Sequence, residues 1–179
     1  MLVAAQSATD EQANTRSLGS ERPLNPKAHP RPHKMFTRLL IATDGSEIAT
    51  KAVKDGLELA KSLNAQVAIL TVTEPWLGLV NTDMSAINFS IEGYEKATKE
   101  EAARLLSKVR KEAVSLGLDC ATVHVNGYPA DAIIETAETA ACDLIVMGSH
   151  GRRGIARLLL GSQAAKVVTL SSVPVLICR

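Results

Sequence analysis

Aromatic residues are scarce: one Trp, two Tyr and two Phe make up 3% of 179 residues. That leaves no stacking platform for single-stranded nucleic acid. A surplus of charge is missing as well. Twenty Lys and Arg stand against nineteen Asp and Glu, a formal net charge of +1, so nothing steers the chain toward nucleic acid or an anionic membrane surface. The three cysteines, Cys120, Cys142 and Cys178, are too few and too far apart for a disulfide framework. No Cys/His pair has zinc-site spacing. No apolar run reaches the roughly 18 residues of a membrane span. Met1 to Ala5 is apolar, but Gln6, Ser7, Asp10 and Glu11 follow at once, unlike a signal peptide. The expectation is a cytoplasmic protein with reduced core thiols and neither nucleic acid nor membrane as partner.

Hydrophobic residues at 46% and charged residues at 22% fit one globular domain. Residues 1–34 differ from the rest. They hold Pro23, Pro26, Pro30 and Pro32, four of the seven prolines, and show no apolar periodicity. Such a segment buries too little apolar area to offset its ordering entropy, so 1–34 reads as a disordered N-terminal extension. Residues 35–179 read as the domain.

Within that domain short apolar runs alternate with helical patterns. Leu39 to Ala42 is a strand buried on both faces, and Thr43-Asp44-Gly45 is a turn. Ser46 is an N-cap for a helix carrying Ala49, Ala52, Val53, Gly56, Leu57, Ala60 and Leu63, which Asn64 ends. Val67 to Val72 is a second strand, and 73–91 is irregular. A long amphipathic helix over 92–116 turns Tyr94, Ala97, Ala102, Leu105, Leu106, Val109 and Ala113 inward, with Gly117 as its stop. Cys120 to Val125 is a third strand. Pro129 opens a helix with Ile133, Ile134, Ala137 and Ala141. Leu144 to Met147, a helix from about 162 to 170, and Val173 to Cys178 complete a β-α-β-α-β-α-β-α-β order. This alternation predicts an α/β fold: an open five-stranded parallel sheet with helices on both faces.

The most informative stretch follows the fourth strand: Met147-Gly148-Ser149-His150-Gly151-Arg152-Arg153-Gly154, then Gly161-Ser162-Gln163 opening the last helix. Glycines let backbone amides approach a ligand closely. The helix start adds free N–H groups and a dipole that favours an anion. A two-part phosphate cradle and plain turns both satisfy this pattern. There is no Gly-Lys-Ser/Thr of a Walker loop, and the spacing is not that of the dinucleotide fingerprint. His150 reads as a solvated loop residue or a phosphate donor, and Arg152 and Arg153 as an exposed basic turn or a phosphate screen. Lys166, Asp131, Glu135 and Glu138 read as surface charges.

The spacing Gly148, two residues, Gly151, nine residues, Gly161, Ser162 resembles the nucleotide-binding motif of the universal stress protein family. Leu40-Ile41-Ala42-Thr43-Asp44-Gly45-Ser46-Glu47 resembles that family's first strand and turn, and Val173-Pro174-Val175-Leu176-Ile177 its ending. The resemblance implies strand order 3-2-1-4-5 in a sheet of the adenine nucleotide alpha hydrolase-like type. Asp44 and Gly148 then border one crevice at the point where the winding reverses.

The resemblance also implies ATP, with Mg2+ as a candidate companion. Ala42, Thr43 and Asp44 would line the adenosine, with Val72 and Met147 on the adenine. Gly148, Gly151, Gly161 and Ser162 would hold ribose and phosphates. Position 42 is Ala where many members have Pro. Gln163 and Ala164 stand where some binding members have Val and then Thr or Ser, so a second hydroxyl near the phosphates is missing. No catalytic set accompanies these residues. The expected function is therefore an ATP-binding, non-enzymatic protein of the stress response. The alternatives are an enzyme of the related ATP-cleaving superfamily and a scaffold that no longer binds nucleotide. The apolar last strand lies at the sheet's edge in this order and lacks protective charges, which predicts a homodimer through it.

Overall fold

A computed structural model describes residues 35–75, 91–151 and 160–179. Residues 1–34 lie outside the described residues, and with them the disorder expected there. So do 76–90 and 152–159, the latter containing Arg152, Arg153 and Gly154.

The described elements are β1 (Arg38–Ala42), α1 (Glu47–Leu63), β2 (Gln66–Thr73), α2 (Ile91–Ser115), β3 (Cys120–Asn126), α3 (Pro129–Thr139), β4 (Leu144–Gly148), α4 (Ser162–Leu170) and β5 (Val175–Cys178). All strand pairs are parallel and the sheet order is β3-β2-β1-β4-β5. β1 is central, and Leu39, Leu40 and Ile41 have no exposed surface, as expected for a strand covered on both sides. Leu39 and Ile41 belong to the core beneath α1 and α2, with Leu57, Leu106 and Val109. Leu40 and Ala42 belong to the core beneath α3 and α4, with Ile133, Ala137 and Val167. Each fully buried Leu or Ile contributes about 1.5–3 kcal/mol.

Local signals set the helix ends. Ser46 Oγ accepts the Ala49 N–H at 3.3 Å, capping α1. Asn64 takes the left-handed conformation, φ 50°, and closes it. Gly117, at φ 78°, stops α2. The register of α2 differs from the expected one near its start. Ala97 is exposed and Thr98 is half-buried in its place, because this end of α2 faces a polar cleft and not the apolar core. Ala141 is also exposed. α3 ends at Thr139, and Ala141 turns the chain with φ 50°.

β5 is shorter than expected. Ser171 Oγ accepts the Val173 N–H at 3.0 Å, which holds 171–173 in a turn, and regular pairing with β4 starts at Val175. Cys142 and Cys178 are buried and Cys120 is half-buried; all three are free thiols. Burial pushes each of them up from the usual thiol range, which suppresses the reactive thiolate. Among the described residues, no helix is long and apolar enough to cross a membrane.

Candidate functional site

β1 and β4 pair side by side with Ala42 opposite Met147. From β1 the chain leaves toward α1 on one face of the sheet. From β4 it leaves toward α4 on the other. The divergence opens a crevice at the strands' carboxyl ends, the switch point of an open α/β sheet. A cavity of about 570 Å3 occupies it, within the roughly 300–1,000 Å3 of small-molecule sites. Ala42, Thr43, Asp44, Val72, Met147, Gly148, Gly151, Gly161 and Ser162 all line this one cavity. They come from three strands, two loops and the start of α4, up to 120 positions apart in sequence, between Ala42 and Ser162.

One side of the cavity is apolar. Ala42, Leu70 and Met147 are buried in the α3/α4 core, with Val72 packed beside them and Ile133 behind. Val72 also carries a backbone feature. Along β2 the even residues turn their peptide groups toward β1: Gln66 N–H donates to Thr37 O and Leu70 O accepts from Thr43 N–H. The odd ones face β3, where Val67 N–H donates to Asp119 O and Thr73 O accepts from Gly127 N–H. Val72 therefore faces β1, but β1 ends at Ala42, opposite Leu70. Among the described residues the N–H and C=O of Val72 have no backbone partner on that side, and they stand as an adjacent donor and acceptor beside the apolar wall, a pairing that matches the edge of a planar base.

The other end is glycine-lined. A Cβ at Gly151 would sit 2.8 Å from Asp44 Oδ2, and one at Gly148 would sit 3.0 Å from Ile48 Cγ2 and 3.2 Å from Ala49 N. At Gly161 it would sit 3.1 Å from Ser149 O. Asp44 is fixed by its own turn: Oδ1 accepts the Ser46 N–H at 3.0 Å, and Thr43 Oγ1 accepts the Gly45 N–H at 3.2 Å. Gly161 is the N-cap of α4 and offers no side-chain cap. The first-turn N–H groups of Ser162, Gln163 and Ala164 have no partner among the described residues, and the helix dipole adds to them.

Gln163 has a role that sequence spacing does not reveal. Its Oε1 accepts the Ala130 N–H at 3.1 Å. The N-cap of α3, Tyr128, makes no side-chain cap bond, so Gln163 supplies a cap from a neighbouring helix. Ala164 is buried in the α3/α4 core, so a small apolar residue suits that position. Lys166 pairs with Asp131 at 2.8 Å, both partly exposed, and so is tied to α3.

A further part of the cavity, lined by Thr71, Thr73, Glu74, Tyr94, Thr98 and Glu101, lies under the start of α2. Tyr94 Oη donates to Glu74 O at 3.0 Å, and Thr73 Oγ1 and His124 Nε2 are 2.9 Å apart. Burial and then the charge of Lys99 lower the His124 pKa, favouring the neutral ring. Apolar periodicity turns Tyr94 inward but misses Thr73, Glu74, Thr98 and Glu101, which are polar. Among the described lining residues there is no Lys or Arg. No group of three metal-ligating side chains occurs among the described residues.

A profile of the Universal stress protein family matches residues 35–179. The chain belongs to the universal stress protein family. It is 35% identical over 147 residues to Universal stress protein MJ0531 of Methanocaldococcus jannaschii, covering 81% of this chain and 83% of that one. It is 33% identical over 149 residues to Universal stress protein YxiE of Bacillus subtilis, covering 81% of this chain and all of that one. A crystal structure of a universal stress protein in complex with cAMP superimposes with a TM-score of 0.61 at 30% identity, covering 81% of this chain and 98% of the other. The match excludes residues 1–34. In this universal stress protein the first-strand turn and the glycine loop meet where Asp44 lies against Gly151.

Proposed function

We propose that this chain binds an adenine nucleotide, ATP in the cell, in the β1/β4 crevice, and acts in the stress response as a nucleotide-dependent regulator, not a catalyst. The observation that carries this reading is the contact of Asp44 with Gly151, since only a residue without a Cβ leaves that carboxylate and the loop backbone side by side. The base would lie on Ala42, Leu70 and Met147 with its edge on the Val72 peptide groups. Asp44 would accept ribose hydroxyls, and the α4 N-terminus with Ser162 would receive phosphate. With no Lys or Arg among the described lining residues, phosphate binding would rest on backbone N–H groups and the helix dipole. Asp44 would alternatively help hold Mg2+ beside the phosphates. The 30% identical relative solved with cAMP supports an adenine ligand class.

The reading includes a cytoplasmic homodimer. β5 ends the sheet, and Leu176 on it is 38% exposed. An apolar, uncharged edge strand favours pairing with a second copy. Denaturing the purified full-length chain and separating the released small molecules tests the ligand. Adenine nucleotide near one equivalent per chain supports the reading, and none after incubation with ATP and Mg2+ contradicts it.

A further inference from the structure

The cavity has a second compartment, on the other face of the sheet. Side chains alternate along β2: Leu70 and Val72 belong to the α3/α4 core, and Val67 and Ile69 to the α1/α2 core. Thr71 and Thr73 therefore point to the α1/α2 side, away from Ala42 and Met147. There the cavity is bounded by Tyr94, Thr98, Glu101 and Leu105 of α2, spaced four, three and four residues apart and so on one stripe of that helix. Ala49 of α1 and Ala102 of α2, both buried, add to Leu105 to make an apolar floor.

One hydroxyl in this compartment differs from the rest. Thr73 Oγ1 is 2.9 Å from His124 Nε2, Tyr94 Oη donates to Glu74 O at 3.0 Å, and Thr98 Oγ1 donates to Tyr94 O at 2.8 Å. Thr71 is only 6% exposed, yet among the described residues its Oγ1 has no hydrogen-bond partner. It is not sealed off either: among the described residues the unpartnered side-chain nitrogen or oxygen closed to solvent is His150 Nε2. The Thr71 hydroxyl thus opens on the cavity that Thr71 lines. Polar groups in so buried a residue are nearly always paired, and one that faces a cavity points to a partner entering it.

The surroundings define that partner. Glu74 and Glu101 line the compartment, and no Lys or Arg is among the described lining residues. Burial, and then the charge of Lys99, favours the neutral form of the His124 ring beside Thr73. The local field therefore favours a cation, the Thr71 oxygen is able to accept from it, and the apolar floor suits a short carbon chain. We propose that this compartment binds a small primary alkylamine as its ammonium ion. Its N–H donates to Thr71 Oγ1, Glu101 offsets its charge, and its chain lies along Ala49, Ala102 and Leu105. The site stands whether or not the α3/α4 side of the cavity holds a nucleotide.

The test titrates full-length protein, labelled with 13C at the threonine methyls, with butylamine at neutral pH. The Thr71 signal is identified by its absence in Thr71→Val. A saturable shift of the Thr71 methyl is expected, with no comparable shift from butan-1-ol or potassium chloride at the same concentration. Thr71→Val keeps the side chain's shape and removes the hydroxyl. Butylamine affinity, followed at the Thr73 and Thr98 methyls, is then expected to fall about tenfold, as for loss of a hydrogen bond to a charged group. Thr71→Ser keeps the hydroxyl and is expected to stay within about threefold of wild type. Glu101→Gln, on the exposed side of α2, is a second variant that spares the core and is expected to weaken butylamine several-fold. No saturable shift in wild type, an equal shift from butan-1-ol or potassium chloride, or unchanged affinity in both Thr71→Val and Glu101→Gln overturns the assignment.

Discussion

Oδ2 of Asp44 lies 2.8 Å from the point where a Cβ would project from Gly151, so the turn after β1 and the loop after β4 meet closer than a side chain at 151 allows without moving the carboxylate. The atom in the way is the end of a flexible side chain at the rim of a cleft. Gly151→Ala should therefore displace the carboxylate without disturbing the core. ATP affinity is expected to fall at least about tenfold, roughly 1.4 kcal/mol, with the melting temperature within a few degrees of wild type. Calorimetry and thermal melting check both parts. Unchanged affinity would remove Asp44 from the site.

Gly56 makes the opposite case. It lies in α1, and a Cβ there would sit 2.9 Å from Ile41 Cδ1 and 3.2 Å from Val146 Cγ1, both fully buried side chains. Gly56→Ala gains about 1 kcal/mol in helix propensity and loses about 1–3 kcal/mol to overpacking. The expected result is a lower melting temperature with ligand affinity unchanged at temperatures where the protein is folded.

How much of this arrangement could be read beforehand depended on how local each signal was. Ser46, Asn64 and Gly117 act within one turn, and the sequence shows them directly. The doubly buried β1 was equally plain from Leu39-Leu40-Ile41-Ala42. The exposed Ala97 and half-buried Thr98 were not, because apolar periodicity locates the core and not a polar cleft. The Val72 peptide groups, unpaired toward β1 among the described residues, depend on β2 running eight residues beside a five-residue β1, a mismatch visible only after pairing. The Gln163 cap on Ala130 joins residues 33 positions apart, beyond the reach of helix-capping patterns. The glycine spacing located the site, and the fold supplied its partners.

Asp143 ties the start of β1 to β4. Its carboxylate accepts from the Thr37 N–H at 2.7 Å, the Thr37 hydroxyl at 2.7 Å and the Arg38 N–H at 3.0 Å. Burial pushes its pKa up, but these donors outweigh it and hold it below the ordinary value. The sign follows. A depressed folded-state pKa contributes stability above the unfolded pKa, near 3.9, and that contribution is lost as pH falls through the folded value. Asp143→Asn should lower stability at pH 7 by about 1–2 kcal/mol and flatten the acid limb below about pH 4. Denaturant unfolding from pH 2 to 7 checks this; parallel curves for the two proteins would contradict it.

Dimerisation is tested at Leu176. Val173, Val175 and Ile177 pack into the α3/α4 core, so lysine at Val173 and Val175 would damage the fold itself. Leu176 is on the other face of β5 and 38% exposed. Wild type should scatter light at about twice 19.0 kDa at micromolar concentration. Leu176→Lys should give the single-chain mass with its melting temperature lowered only by loss of the partner. A monomeric wild type well above micromolar concentration rules the dimer out.

In the proposed function the β1/β4 crevice holds an adenine nucleotide through the Gly161 N-cap of α4. Calorimetric titration of ATP with Mg2+ into wild type and Gly161→Val tests this. A branched side chain there would crowd Ser149 O and the phosphate end of the cavity while leaving the sheet intact. The expected result is saturable binding of about one ATP per chain to wild type, weakened at least about tenfold in a Gly161→Val protein that still folds. Equal ATP affinity for both folded proteins, or no saturable binding to wild type, would contradict it.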